Sequence, residues 1–287
     1  MMNTIRSKQT VLISAVILLT VFLFSRDIKG LVKPKEETAG VPAGGQLTSA
    51  GSSINLTEIS TTAKNLINSN LAKDITTLEN AYQTASDVEK INAAKALAEK
   101  WDDLEQTVPS ALYLEIIAEK EQNLNNWLAA GGRLIKAYDT TTDTLISPVL
   151  LQKANAAYVN AVAIDSTNLD AKTGLGITIV NGMGAPMSGI AMLLDVVKKD
   201  PKNLKANMSL GTFAIKSGQF DKAITRFNDI IAIKPSPDAY FYLATAYENL
   251  GKNKEAVAAY LDSKKLAANP TLSKFIDSKV TELKSKF

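Results

Sequence analysis

Three short patterns have residue types and spacings that could do chemistry. Gly174-Leu-Gly176 and Gly182-Met-Gly184 are close-set glycines of the kind that let backbone amides wrap a phosphate. Neither completes G-x-G-x-x-G and no strand-like run precedes them, so a phosphate cradle is not built. Asp102, Asp103 and Glu105 are neighbouring carboxylates, the raw material of acid–base chemistry. Standing on a helical stretch without a partner base, they read as a solvated face. Lys264, Lys265 and the lysines near the C-terminus could meet anionic lipid or RNA. Lysine also suits the last turn of a helix through its dipole, and that reading needs no ligand.

What is missing narrows the chemistry further. The chain has no cysteine and no histidine. That removes thiolate nucleophiles, disulfides, thiolate zinc and iron–sulfur sites. It also removes the usual general base near neutral pH and the commonest metal ligand. No catalytic residue, no metal-ligand set and no cofactor is therefore named. Six basic residues stand against Asp27 within residues 1–35, and eight lysines against four acids within 251–287, around an acidic middle. Basic ends are not the one-faced footprint of a nucleic-acid binder, so no nucleic acid is expected, nor a small-molecule substrate.

Between Lys8 and Arg26 lie 17 uncharged residues, nearly all Val, Leu, Ile, Phe or Ala. That is the short end of what spans a bilayer as a helix. Ser25-Arg26-Asp27-Ile28-Lys29 follow, with no small-x-small cleavage site, so an uncleaved anchor at 10–25 is expected after a tail at 1–9. Basic residues flank the segment on both sides and leave the side of the membrane open. The Gly- and Pro-rich stretch that follows reads as a flexible linker over 26–54.

Past the linker, apolar residues recur at helical spacing. Leu56, Ile59, Ala63, Ile67, Leu71, Ile75, Leu78 and Tyr82 make one stripe, predicting one helix over 56–82. Ser86 and Glu89 form a capping-box pattern that opens a second helix, with Val88, Ile91, Ala94, Leu97, Ala98, Trp101 and Leu104 facing inward. Pro109-Ser110 begins a third. Residues 55–123 are thus expected to form a helical N-terminal cap. Then a repeat begins. Asn168, Leu169, Ala171, Leu175 and Gly176 return as Asn203, Leu204, Ala206, Leu210 and Gly211, and Ala239 and Leu243 continue the series. A period of 33–35 residues holding two amphipathic helices is the mark of a stacked helical array.

The repeat resembles the tetratricopeptide repeat family. The small residue of the first helix is Gly176, Gly211 or Ala244, and the turn glycine is Gly184, Gly218 or Gly251. The second helix carries Gly189, Ala223 or Ala256, then a large residue at Leu193, Phe227 or Tyr260. Pro201 and Pro235 end their units. A degenerate unit precedes these, with Trp127, Gly131 and Tyr158 in family positions and DTTTDTLISP expanding the turn. The run from Gly184 to Ala191 resembles a bacterial branch of single-pass, membrane-anchored repeat proteins. The resemblance implies an all-α, tetratricopeptide-type α-solenoid of helix pairs with helical N- and C-terminal caps, preceded by one transmembrane helix. Its units fall at about 124–168, 169–203, 204–236 and 237–270, and 271–287 forms a capping helix with Leu272, Phe275, Ile276, Val280 and Leu283 inward.

In that family the first helix of each pair lines a concave groove that holds a partner segment. By repeat phase, Met208, Thr212, Ile215, Phe241, Thr245 and Glu248 are the groove residues here. The branch that binds chaperone tails clamps a terminal carboxylate with Lys and Asn. Thr212 and Thr245 stand where Asn would be, so that specialised activity is not implied. The expected protein is a non-enzymatic scaffold in the bacterial inner membrane, binding a protein partner through the groove. The rival is a structural subunit of an envelope or RNA-processing complex, binding through its convex face or cap helices.

Overall fold

The computed structural model describes residues 54–286. The anchor expected at 10–25 and the linker up to residue 53 lie outside them. Among the described residues there are thirteen helices and no strand. None is long and apolar enough to cross a membrane.

The first four helices are α1 (Leu56–Lys64), α2 (Ser69–Thr84), α3 (Asp87–Asp103) and α4 (Thr107–Glu121). The single stripe over 56–82 is split in two. Asn68 explains the break: its side chain accepts from the amides of Asn70 and Leu71, at 3.1 and 3.0 Å, and so caps a new helix rather than continuing the old one. Glu89 Oε2 accepts from Ser86 Oγ at 2.8 Å and from the Ser86 amide at 3.4 Å, which opens α3 where the capping box put it. Val88 does not face inward; it is 80% exposed. The other end of α3 is better used, with Trp101 and Leu97 fully buried against Ile75 and Tyr113.

Eight helices follow in pairs: α5 (Leu124–Thr140) with α6 (Ser147–Ile164), α7 (Leu169–Gly182) with α8 (Pro186–Lys199), α9 (Leu204–Lys216) with α10 (Phe220–Ile233), and α11 (Pro237–Asn249) with α12 (Asn253–Leu266). α13 (Pro270–Lys284) follows the last pair. Each first helix is opened by a side chain at the same phase. Asn123, Asn168, Asn203 and Ser236 accept from an amide three residues on, at 2.8–3.2 Å. In the last three pairs the turn glycine, Gly184, Gly218 or Gly251, has φ of +75, +73 or +70°, where a Cβ would be strained. The first pair instead spans its longer turn with Asp143, whose carboxylate accepts from the amides of Leu145 and Ile146.

Helices adjacent in sequence pack on each other, and successive first helices also touch: α5 with α7, α7 with α9, α9 with α11. That second contact makes the pairs a solenoid. It depends on size matching. The buried rings of Tyr158 and Phe227 and the Leu193 side chain each fill a gap beside a glycine. A methyl group built on Gly211 would stand 2.7 Å from Phe227 Cζ, and one on Gly176 2.9 Å from Leu193 Cγ. Tyr158 reaches across two helices: a methyl on Gly131 would lie 2.9 Å from its ring, and one on Gly174 only 2.1 Å. Gly174 and Gly176, set aside above as a phosphate loop, thus lie mid-helix and give way to a ring and a leucine. Asp103 and Glu105 lie on an exposed face, and Asp102, part-exposed beside them, is paired. Arg133 of α5 grips both its oxygens, with Nη2 at 2.7 Å from Oδ2, and ties α3 to α5.

The Gly174→Ala substitution weighs two opposed effects. Alanine is the better helix former by about 1 kcal/mol. Overpacking against a ring with no room to move costs about 1–3 kcal/mol. At 2.1 Å the second wins, so urea unfolding followed by circular dichroism will show a net loss of stability. A variant as stable as the parent would contradict the packing described.

Candidate partner-binding groove

The first helices of the last four pairs leave a cleft of about 890 Å³ between them. Its apolar floor is Ile135 on α5, Ile177 on α7, Met208 and Ile215 on α9, and Phe241 on α11. Thr212, Thr245, Asn181 and Tyr242 add polar edges, and Asp139, Lys205, Lys216 and Lys234 add charge. Repeat phase puts these side chains together: positions three before and one, four or five after the small residue of each first helix recur on one face.

Five of the six groove residues named from the sequence line this cleft: Met208, Thr212, Ile215, Phe241 and Thr245. The structure does not bring Glu248 there. Its Oε2 accepts from Tyr260 Oη and its Oε1 from Lys279 Nζ, both at 2.8 Å. The reason is α13, which takes the place where a further first helix would stack and delivers Lys279 to Glu248. The threonine hydroxyls are also engaged. Thr212 Oγ1 donates to the Ser209 carbonyl and Thr245 Oγ1 to that of Phe241, both at 3.0 Å. They offer the groove a methyl group and a lone pair, not a free donor.

Sequence reasoning missed Ile135, Ile177, Asn181, Lys205, Lys216 and Tyr242. The signal was in the repeat. Ile177 follows Gly176 as Thr212 follows Gly211, Ile135 stands four after Gly131 as Ile215 does after Gly211, and Asn181 matches Lys216. Aromatic packing fixes the far end of the cleft. Phe241 meets Tyr242, Tyr260 and Phe275 at centroid distances of 5.8, 5.5 and 5.9 Å, and Tyr242 stacks on Phe227 at 5.6 Å. Phe275, expected inward, is 47% exposed beside Phe241.

A second cleft, of about 700 Å³, lies among α2, α3 and α4 around Tyr82, Val88, Ile91 and Ile116. Several of its charged groups already have partners. Lys90 sits 5.2 Å over the Tyr82 ring, and Glu121 accepts from Lys95 and Asn126. In the concave cleft, Lys205 Nζ donates to Tyr158 Oη at 3.5 Å, and burial lowers its pKa against the pull of Asp170 and Asp139. Burial raises the Asp139 carboxyl, with Lys216 and Lys205 opposing. Among the described residues no three acids gather closely enough to hold a metal ion.

The tetratricopeptide repeat family model matches residues 238–269, the α11–α12 pair with its Ala244, Gly251 and Tyr260. The α11–α12 pair is a tetratricopeptide repeat, set in an α-solenoid of helix pairs. A thermophilic tetratricopeptide-repeat protein of Thermus thermophilus shares the fold at a TM-score of 0.55 and 17% identity, over 67% of this chain and 99% of that one. MamA aligns at 20% identity and a TM-score of 0.43, over 59% of this chain and 93% of its own. YrrB, described as a tetratricopeptide-repeat protein with an unusual peptide-binding site, aligns at 14% and 0.42, over 70% of this chain and 97% of its own. A comparison with curated protein sequences gives no match.

Tyr158, which holds the solenoid together and also meets a groove lysine, gives it a pH signature. Burial, and next the charge of Asp170, push its phenol up to about 12. The ordinary value is about 10, so the unfolded chain loses this proton first as pH rises. The stability tied to the neutral phenol is complete below about pH 10 and falls away towards pH 12. Over that window the unfolding free energy of Tyr158→Phe will decline less steeply than that of the parent. Parallel curves would show that the phenol is not perturbed.

Proposed function

We propose that this protein is a scaffold that holds a segment of another protein in the concave cleft and makes or breaks no bond. The observation that supports the reading most is the cleft itself: an apolar floor with polar edges, contributed by four consecutive first helices. Such a surface recognises a helical or extended segment by seating its apolar side chains. Phe241 is the natural anchor, since three aromatic neighbours hold its ring in place before anything binds. A reaction would need acids and bases converging on one point. The only carboxylate lining the cleft is Asp139.

The same reading takes residues 10–25 as an anchor in the bacterial inner membrane, on the strength of the uncharged run between Lys8 and Arg26. Tethering would raise the local concentration of whatever the cleft holds. The outer-surface alternative draws on Val159, Leu194 and Leu261, exposed apolar residues that each follow the large residue of a second helix.

Photo-crosslinking in cells separates the two readings. A benzophenone side chain at Thr212 will give adducts with a discrete partner protein, and one at Leu194 will not. Adducts confined to Leu194 would move the binding face to the outer surface. For the anchor, the full chain will stay in the membrane pellet through an alkaline carbonate wash, and a form lacking residues 1–30 will wash off. Release of the full chain would remove the anchor from the account.

A further inference from the structure

The concave cleft has an excess of positive charge. Three of its lining residues are lysines, Lys205, Lys216 and Lys234, against the single carboxylate of Asp139. Elsewhere the fold uses its cations to join helices, as Lys153 with Glu115, Lys279 with Glu248 and Lys64 with Glu79. None of the three cleft lysines forms an ion pair among the described residues. Lys205 donates only to the Tyr158 hydroxyl; burial lowers its pKa, and Asp170 and Asp139 pull against that shift without forming an ion pair with it. The excess is local. Residues 54–140 hold eight basic against thirteen acidic residues, so the described fold is not basic throughout.

We infer that the cleft takes an acidic segment of another protein, its carboxylates facing Lys205, Lys216 and Lys234 and its apolar side chains seated on Ile177, Met208 and Phe241. The inference rests on the groove reading above and adds the chemistry of the occupant. Carboxylates there offset the desolvation of Lys205, and the cationic rim raises the rate at which an acidic segment arrives. The floor gives such a segment its affinity, and the lysines select against basic segments. An RNA strand would need bases to stack on exposed rings along a cationic track. The floor is largely aliphatic, and Asp139 interrupts the positive charge.

The test uses the full chain and three fluorescent synthetic peptides of about 14 residues, with Leu or Phe at every third or fourth position as helix-in-groove ligands require. The positions between are Glu, Gln or Lys. The Glu peptide will bind, the Gln peptide at least about tenfold more weakly as expected for several lost charge contacts, and the Lys peptide not at all. Lys205→Glu with Lys216→Glu, both on exposed positions and checked for folding by circular dichroism, will reverse the preference. Phe241→Ala will weaken the Glu and Gln peptides alike. Equal binding of Glu and Gln peptides, both sensitive to Phe241→Ala, would overturn the acidic selectivity and leave the groove reading standing. If no peptide binds, or if no substitution in the cleft alters binding, both fall. A single-stranded RNA of similar length that displaces the Glu peptide would assign the lysines to nucleic acid instead. Self-association abolished by Lys205→Glu with Lys216→Glu would assign them to a second copy of the chain.

Discussion

The Tyr158 ring fills the space between Gly131 and Gly174, so that α6 presses against its own first helix and against the next one. Within their own pairs, Phe227 packs beside Gly211 and Leu193 beside Gly176. Each contact exchanges a missing Cβ on one helix for a large side chain on another, and the pair is held as closely as a protein interior allows. No single pair can cover both of its faces. Stacking is what removes them from water, and the rise from pair to pair sets the curve on which the groove lies.

That curve fixes where function can reside. The second helices spend their large residues inward, and the first helices turn one face to their partners and one to the cleft. Its side chains come from successive equivalent positions, which spreads polar groups along a line rather than converging them on a point. The result suits recognition of an extended surface with a few anchors.

Much of this was legible in the sequence, because a repeat states the same physics several times. The small and large positions, the asparagine caps and the turn glycines each recur at one phase, and even the degenerate first unit kept Gly131 and Tyr158. What stayed hidden depends on contacts between units. Glu248 has the phase of Ile135 and Ile215, yet it serves α13, whose Lys279 comes within 2.8 Å. Asn68 splits an unbroken apolar stripe, since a side-chain cap competes locally with a periodic signal. Val88 lies on the apolar stripe of α3 but at its open end, where no neighbour covers it. Lys205 and Lys216 are exposed, and it is the stacking of α5, α7, α9 and α11 that brings them to one cleft with Lys234.

Hydrogen exchange on the full chain, with and without a bound acidic peptide, tests the central claim most directly. The account predicts slowed exchange along α9 and α11, the two helices that carry most of the cleft, and little change in α8, α10 and α12 outside their ends. Protection confined to the second helices, with α9 and α11 unaffected, would contradict it.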